Sequence, residues 1–375
     1  MNPQELFCPN LECPARGQVG KGNIHVHSQK EQRCICEVCG QTFTTRAGTI
    51  YYRLRHAPEL VMRVVVLLAY GCPVQAIVKA FDLDERTVKD WQLRAGRHCQ
   101  QVHEHLVESS SQDLQHVQAD EIKVKIQKGT IWMAMAIWVP TRLWMGGVLS
   151  PKRDLDLIQA LADKVRNMAL CRPLLLAVDG LASYVSAFRN AFRSKFPREQ
   201  GETGRCKMVE WPNIVIVQVV KQRIEGVLNV DRRIVQGAEA MVVNLIHATQ
   251  HGGGGINTAF IERINATFRQ RIHFLTRRTR CLAQQADSLQ AGMYLVGCFY
   301  NFCNFHHSLR LKLSVGSFRH HWVQRTPALA AGLTDHLWTP AELFAFKVHP
   351  PHWKPPLQRG RPSAAMLQSI QQWAT

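Results

Sequence analysis

Acidic residues are scarce in this chain. Its 28 Asp and Glu stand against 46 Lys and Arg, a formal net charge of +18 over 375 residues. That excess points to a polyanionic partner, of which nucleic acid is the commonest. A basic protein of the membrane surface is the competing reading; it would want a basic amphipathic anchor or a lipidation signal, and neither is read, so it is not expected. Long apolar runs are missing as well. LVMRVVVLLAY is broken by Arg63, and IWMAMAIWVPTRLWMGGVL by Pro140 and Arg142, so both read as buried helix and strands rather than membrane spans. The start, MNPQELFCPN, lacks a basic segment followed by an apolar stretch, so no secretory signal is read and a reducing compartment is expected. There, twelve cysteines are expected to bind metal rather than to pair.

What is present is enough apolar material for a substantial core, 46% of residues, in a length that suggests two or three domains. Residues 1–50 hold FCPNLECP and CICEVCGQTF. Cys8 with Cys13, and Cys36 with Cys39 ahead of Gly40, form two knuckles that can surround one zinc ion tetrahedrally. So polar a stretch cannot bury a core of its own, and zinc supplies on the order of 10 kcal/mol of folding free energy. Cys34, His25 and His27 remain alternative ligands.

Residues 56–100 read as three short helices, with Pro58 and Pro73 in first turns and a break at Gly71 and Cys72. PVQAIVKAFDLDERTVKDWQLRAG gives helix, tight turn, helix, with Asp84 capping the last. Ala76, Ile77, Ala80, Leu83, Val88 and Trp91 are its expected core. Arg86, Thr87, Lys89 and Arg94 then lie on the outer face of a recognition helix, with Glu85 and Asp90, as in a helix-turn-helix DNA-binding domain.

From residue 112 to 310 the period changes. Ile122, Val124 and Ile126 alternate with lysines, IWMAMAIWV and RLWMGGVL complete a meander, and DLDLIQALADKVRNMA is helical. PLLLAVDG reads as a buried central strand, SYVSAFRNAFRSKF as a helix, NIVIVQVV as another buried strand, and INTAFIERINATFRQRI as a helix. The expected class is α/β with a mixed sheet. Asp120 falls within the first strand, Asp179 at the end of the fourth and Glu262 on the late helix. With the first and fourth strands adjacent and the helix across them, the three acids can converge. Glu121 is a candidate auxiliary ligand, but it is expected to face away, because adjacent strand residues point to opposite faces. Taken singly, Asp179 could be a strand-end cap and Glu262 a surface acid beside Arg263.

In its order of motifs the chain resembles the DDE transposases of bacterial insertion sequences, of the RNase H-like superfamily. The matching text is CICEVCGQTF with GTIYYRLR, RTVKDWQLRAG, QADEI, AVDGLASY, INTAFIERINATFRQR, LTRRTR and YNFCNFHHSLR. Cys206 follows Gly204-Arg205 where family members often carry proline, and an aspartate usual near Ala136 is missing. The resemblance implies an RNase H-like catalytic domain behind a zinc ribbon and a helix-turn-helix. It implies a catalytic triad of Asp120, Asp179 and Glu262 that holds magnesium or manganese, two ions in an in-line phosphoryl transfer. Transposon ends and target DNA are the implied partners, and a nucleoid-associated protein of the bacterial cytoplasm is the implied setting. Joining two ends needs at least a dimer. A DNA-binding regulator with an inactive catalytic scaffold, and a nuclease without strand transfer, are the competing functions.

Asn265 and Arg269 share the Glu262 side of their helix, and with Arg277 and Arg278 they are expected to touch the DNA strand. Gly252 to Gly255 could hinge that helix or merely link it. Residues 311–375 read as an extension with a basic tail. Arg359-Gly360-Arg361-Pro362 resembles an AT-hook core, but a solvated tail is the expectation.

Overall fold

The computed structural model describes residues 2–127, 129–196, 204–250, 254–276, 285–315, 319–356 and 360–374. Arg277, Arg278, Gly252, Gly253 and Arg359 lie outside them. The chain forms two compact units, Met1–Val61 with Phe344–Thr375, and Met62–Leu343. Among the described residues no helix is long and apolar enough to cross a membrane.

The first unit begins with a small antiparallel sheet of strands β1 (Ile24–Ser28), β2 (Arg33–Cys36) and β3 (Thr42–Thr44). Gly40 turns the chain between β2 and β3 at φ +68°, a conformation that favours glycine, and its N–H donates to the Cys36 carbonyl at 2.8 Å. The core of this unit is Cys8, Cys13, Ala15, Ile24, Cys34 and Cys36, closed by a tryptophan from the far end of the chain.

Helices α1 (Pro58–Ala69), α2 (Val74–Phe81) and α3 (Glu85–His103) follow. Asp82, in the left-handed region at φ 51°, makes the turn, and Asp84 Oδ1 caps α3 by accepting from the Arg86 N–H at 2.8 Å. Pro73 stands at the N-cap of α2 rather than inside its first turn. Ile77, Val88 and Trp91 are buried, but Ala76 and Ala80 are exposed and Leu83 is half-buried. The expected core shrinks because α2 has barely two turns and buries only its Ile77 side.

The centre of the second unit is a six-stranded mixed sheet. Its strands are β4 (His116–Ile126), β5 (Gly129–Trp138), β6 (Leu143–Ser150) and β7 (Leu174–Asp179). The short pair β8 (Arg193–Lys195) and β9 (Met208–Glu210) stands apart, and β10 (Ile214–Ile224) and β11 (Val227–Gln236) complete the sheet. The spatial order is β11-β10-β7-β4-β5-β6. β4, β7 and β10 run parallel, and β5, β6 and β11 are antiparallel additions. β7 reads LLLAV because it has a neighbour on each side and helices on both faces.

Helices α4 (Leu155–Met168) and α5 (Ala182–Ala191) lie on one face. The second stops earlier than the helical pattern suggests, giving way to β8 after Phe192. Helices α6 (Glu239–Thr249) and α7 (Ala259–Arg271) lie on the other face. Side chains alternate accordingly: His116 and Gln118 bond to α6 and to the start of α7, whereas Glu121 bonds to Tyr184 of α5. Helix α8 (Ala286–Cys298) packs on the second half of α3. Gly96 permits this close approach, since a Cβ there would stand 2.4 Å from the Ala291 Cα. The expected helix-turn-helix segment therefore shares a core with the sheet unit.

After the pair β12 (Leu311–Val315) and β13 (Arg319–Val323) come α9 (Pro327–Ala330), α10 (Pro340–Ala345) and α11 (Ala364–Trp373). Of the tail, Gly360 and Arg361 are exposed, but the segments on either side of them are held against the first unit. Trp373 is buried among the cysteines of the first unit, and Trp353 packs against the same cluster. Arg16 Nε donates to the Pro351 carbonyl at 2.8 Å, and Gln18 Nε2 to that of Trp373 at 2.9 Å. Two tryptophans supply the apolar surface that so small a module otherwise lacks.

Candidate active site and metal centre

The thiols of Cys8, Cys13, Cys36 and Cys39 form a quartet whose sulfurs lie within 4.8 Å of one another. Cys8 and Cys39 are 3.7 Å apart, Cys13 and Cys36 3.9 Å. A disulfide needs about 2.05 Å. Four sulfurs at about 2.3 Å from a central zinc stand roughly 3.8 Å from each other, close to the separation of these two pairs. The donor set fits structural zinc. Burial and the neighbouring sulfur of Cys36 push the Cys13 thiol up to about 12, and a central cation would let such thiolates coexist. Asn23 Nδ2 donates to Cys36 Sγ at 3.5 Å. Cys34 is buried but outside the quartet, and His25 Nε2 pairs with Glu37 at 2.9 Å instead.

The second group sits at the ends of two parallel neighbours. β4 and β7 are in register from His116 with Leu175 to Gln118 with Ala177. Two residues further on, that register brings Asp120 beside Asp179. Carboxylate oxygens of Asp120, Glu121 and Asp179 lie within 4.8 Å of one another, a spacing able to hold a metal ion. Glu121 was expected to face away, and its backbone does alternate. Its longer side chain, buried on the α5 face, still brings its carboxylate next to that of Asp179, where the Tyr184 hydroxyl donates to it at 2.7 Å. Arg153 clamps this side: its Nε donates to Glu121 at 2.6 Å, and its Nη2 reaches Asp179 at 3.3 Å.

On the other face, α7 contributes the rest of a cleft of about 750 Å³ lined by Asp120, Asp179, Glu262, Asn265, Arg269 and Lys221 among others. Glu262 shares that cleft but not the three-carboxylate cluster. Its carboxylate accepts from Lys221 Nζ and, at 2.7 Å, from the Thr258 hydroxyl. Burial pulls its pKa up, but these partners outweigh it and hold it below the ordinary value. Asp120 goes the other way. Burial first, then the charges of Glu121, Asp179 and Glu262, raise it to about 7. Asn265 Nδ2 donates to Asp120 Oδ2 at 2.8 Å, while its Oδ1 is buried without a hydrogen-bond partner.

Gln118 explains why α7 sits where it does. Its Oε1 accepts from the N–H groups of Phe260 and Ile261 at 3.0 and 3.1 Å, satisfying two first-turn donors of α7. Its Nε2 donates to the Asn257 carbonyl at 2.8 Å. Gln218 on β10 does similar work for the turn after β7, donating to the Asp179 carbonyl at 3.1 Å. Sequence reading missed both glutamines, Arg153 and Lys221. Gln118 was findable, since it lies two residues before Asp120 and so on the same strand face. Arg153 left no such trace. On α3, Arg86 and Lys89 are exposed, Thr87 and Arg94 half-buried. Lys89 pairs with Glu85, and Arg94 lies 3.9 Å from Asp90.

Neither the models of known protein families nor the curated proteins yield a match to this chain. The fold is α/β with a mixed sheet compatible with an RNase H-like domain.

Proposed function

We propose that this protein is a DNA transposase of the DDE kind, cutting and joining strands by metal-dependent phosphoryl transfer. The observation that supports it most is the shared cleft: Asp120 and Asp179 on adjacent parallel strands, with Glu262 on the helix across them. Asp120, Asp179 and Glu262 would hold magnesium or manganese, with Glu121 as a fourth acid. Bound divalent ions supply charge neutralisation and an activated attacking oxygen for in-line displacement. Without them, Arg153 and Lys221 balance the acids; once they bind, these two cations would be free to turn to phosphate. Asn265 orients the Asp120 carboxylate, and Arg269 borders the path of the strand. Arg86, Thr87, Lys89 and Arg94 form the end-reading face, with structural zinc in the four-cysteine module and at least a dimer assembled on two ends.

The test is cleavage and strand transfer on the inverted repeats flanking the gene. Asp179→Ala is expected to abolish magnesium-dependent cleavage while DNA binding stays within about twofold. Cleavage at the wild-type rate would sink the assignment.

A further inference from the structure

Helix α7 has a second flank. Its 3.6-residue period puts Glu262, Asn265, Ala266 and Arg269 toward the acidic cleft, and Phe260, Arg263, Ile264 and Thr267 on the opposite side. There they line a concavity of about 550 Å³. The rest of its wall comes from Arg142, in the turn between β5 and β6, and from Tyr300, Phe305, His306 and His307. These last four belong to YNFCNFHHSLR, a stretch for which the three acids give no role.

We propose that this pocket takes one nucleotide of a DNA strand, its phosphate held by Arg142 and Arg263 and its base laid against Phe305. The proposal rests on the reading that the chain works on DNA. Arg142 is only 6% exposed, its guanidinium 3.8 Å above the Phe260 ring and donating to the Val139 carbonyl. Among the described residues no carboxylate forms a salt bridge with Arg142 or Arg263. Beside Arg142, Arg263 carries a charge of like sign, and burial keeps the Tyr300 hydroxyl un-ionised. A buried cation beside a second cation calls for an anion. Phe305, by contrast, is a large apolar side chain left 48% exposed at the same pocket. An aromatic face beside paired arginines matches the two halves of a nucleotide, since bases stack on aromatic rings and phosphates take bidentate guanidinium donors. The volume lies within the roughly 300–1,000 Å³ that holds small ligands. Burial, together with Arg142 and Arg263, holds the His306 imidazole down to about 4. An incoming phosphate would reverse that local charge. A strand crossing the exposed ridge of α7 can present one phosphate to the acids and the next nucleotides to this pocket.

The test uses the full zinc-loaded chain without magnesium, so that binding is read apart from cleavage. The probes are a short oligothymidylate, the same strand built of abasic sites, and the matching ribo-oligonucleotide. Phe305→Ala and Arg263→Gln, both at exposed positions, are compared with wild type after melting curves verify the fold. Phe305→Ala is expected to weaken the thymidylate strand about tenfold and leave the abasic strand unchanged. Arg263→Gln is expected to weaken both and to lower the salt dependence by about one ion. In the wild type, the His306 imidazole resonances should titrate upward when the strand binds. Variants that bind all probes like wild type would overturn the proposal, as would equal losses on thymidylate and abasic strands, or tighter capture of the ribo-strand. If those variants bind normally while Asp179→Ala still abolishes cleavage, the pocket assignment fails alone and the catalytic reading survives.

Discussion

Asp120 is an acid that folding keeps reluctant to ionise, and that has a consequence for stability. Its folded pKa, about 7, lies above the ordinary carboxylate value of 3.8. The native state therefore binds more protons than the unfolded one between these values. This residue's contribution is full below about 3.8 and is lost as pH rises through about 7. Asp120→Asn cannot ionise, so in magnesium-free buffer it should melt higher than wild type at pH 8 and close to it at pH 4. A variant less stable than wild type at pH 8 would contradict the burial argument. Divalent metal should favour the ionised form and raise the wild type alone. At this scale the sequence was informative about Asp120, Asp179 and Glu262, because strand ends and helix turns can be placed from apolar period. It was silent on Arg153 and Lys221, whose roles arise from where loops and a hairpin arm bring them in space. It left Glu121 open, as an auxiliary ligand or as a residue facing away, because alternation fixes the direction of a Cβ but not how far a glutamate can reach.

Between elements, the decisive joint is the one that Gln118 makes between β4 and the start of α7. Replacing Gln118 by Leu keeps the volume but leaves the Phe260 and Ile261 N–H groups unpaired in a buried place. This should cost about 1–3 kcal/mol of stability. It should also lower cleavage more than DNA binding, because Glu262 sits in the turn that is released; equal losses, or none, would mean that α7 is held by its apolar face alone. The meander, the central strands and α7 were legible as alternating or continuous apolar runs. β11 and α6 were not. VLNVDRRIVQ is largely exposed, so it carries no one-sided alternation, and it is a strand because β10 pairs with it along its whole length. Ala76 and Ala80 misled for a related reason, as small apolar residues fit a helix whether or not a neighbour covers them.

For the whole molecule, the excess of 18 positive charges and the four-cysteine module are properties that composition and spacing disclosed. The partnership of the two chain ends was not disclosed, because no local pattern says that Trp353 and Trp373 cover cysteines more than 300 positions away. The full chain should carry one zinc. Trp373→Ala should destabilise the first unit by about 3 kcal/mol and release that zinc at a lower denaturant concentration. Zinc retention identical to wild type would show that the tail only rests on the module.

Asp179 is proposed to bind the metal directly, and a change of ligand tests it. Asp179→Cys replaces a hard oxygen by a thiolate, which magnesium tolerates poorly and manganese accepts. The account predicts no cleavage of end DNA by Asp179→Cys in magnesium, cleavage restored by manganese, and no such rescue for Asp179→Ala. Full activity of Asp179→Cys in magnesium, or equal manganese rescue of both variants, would contradict it.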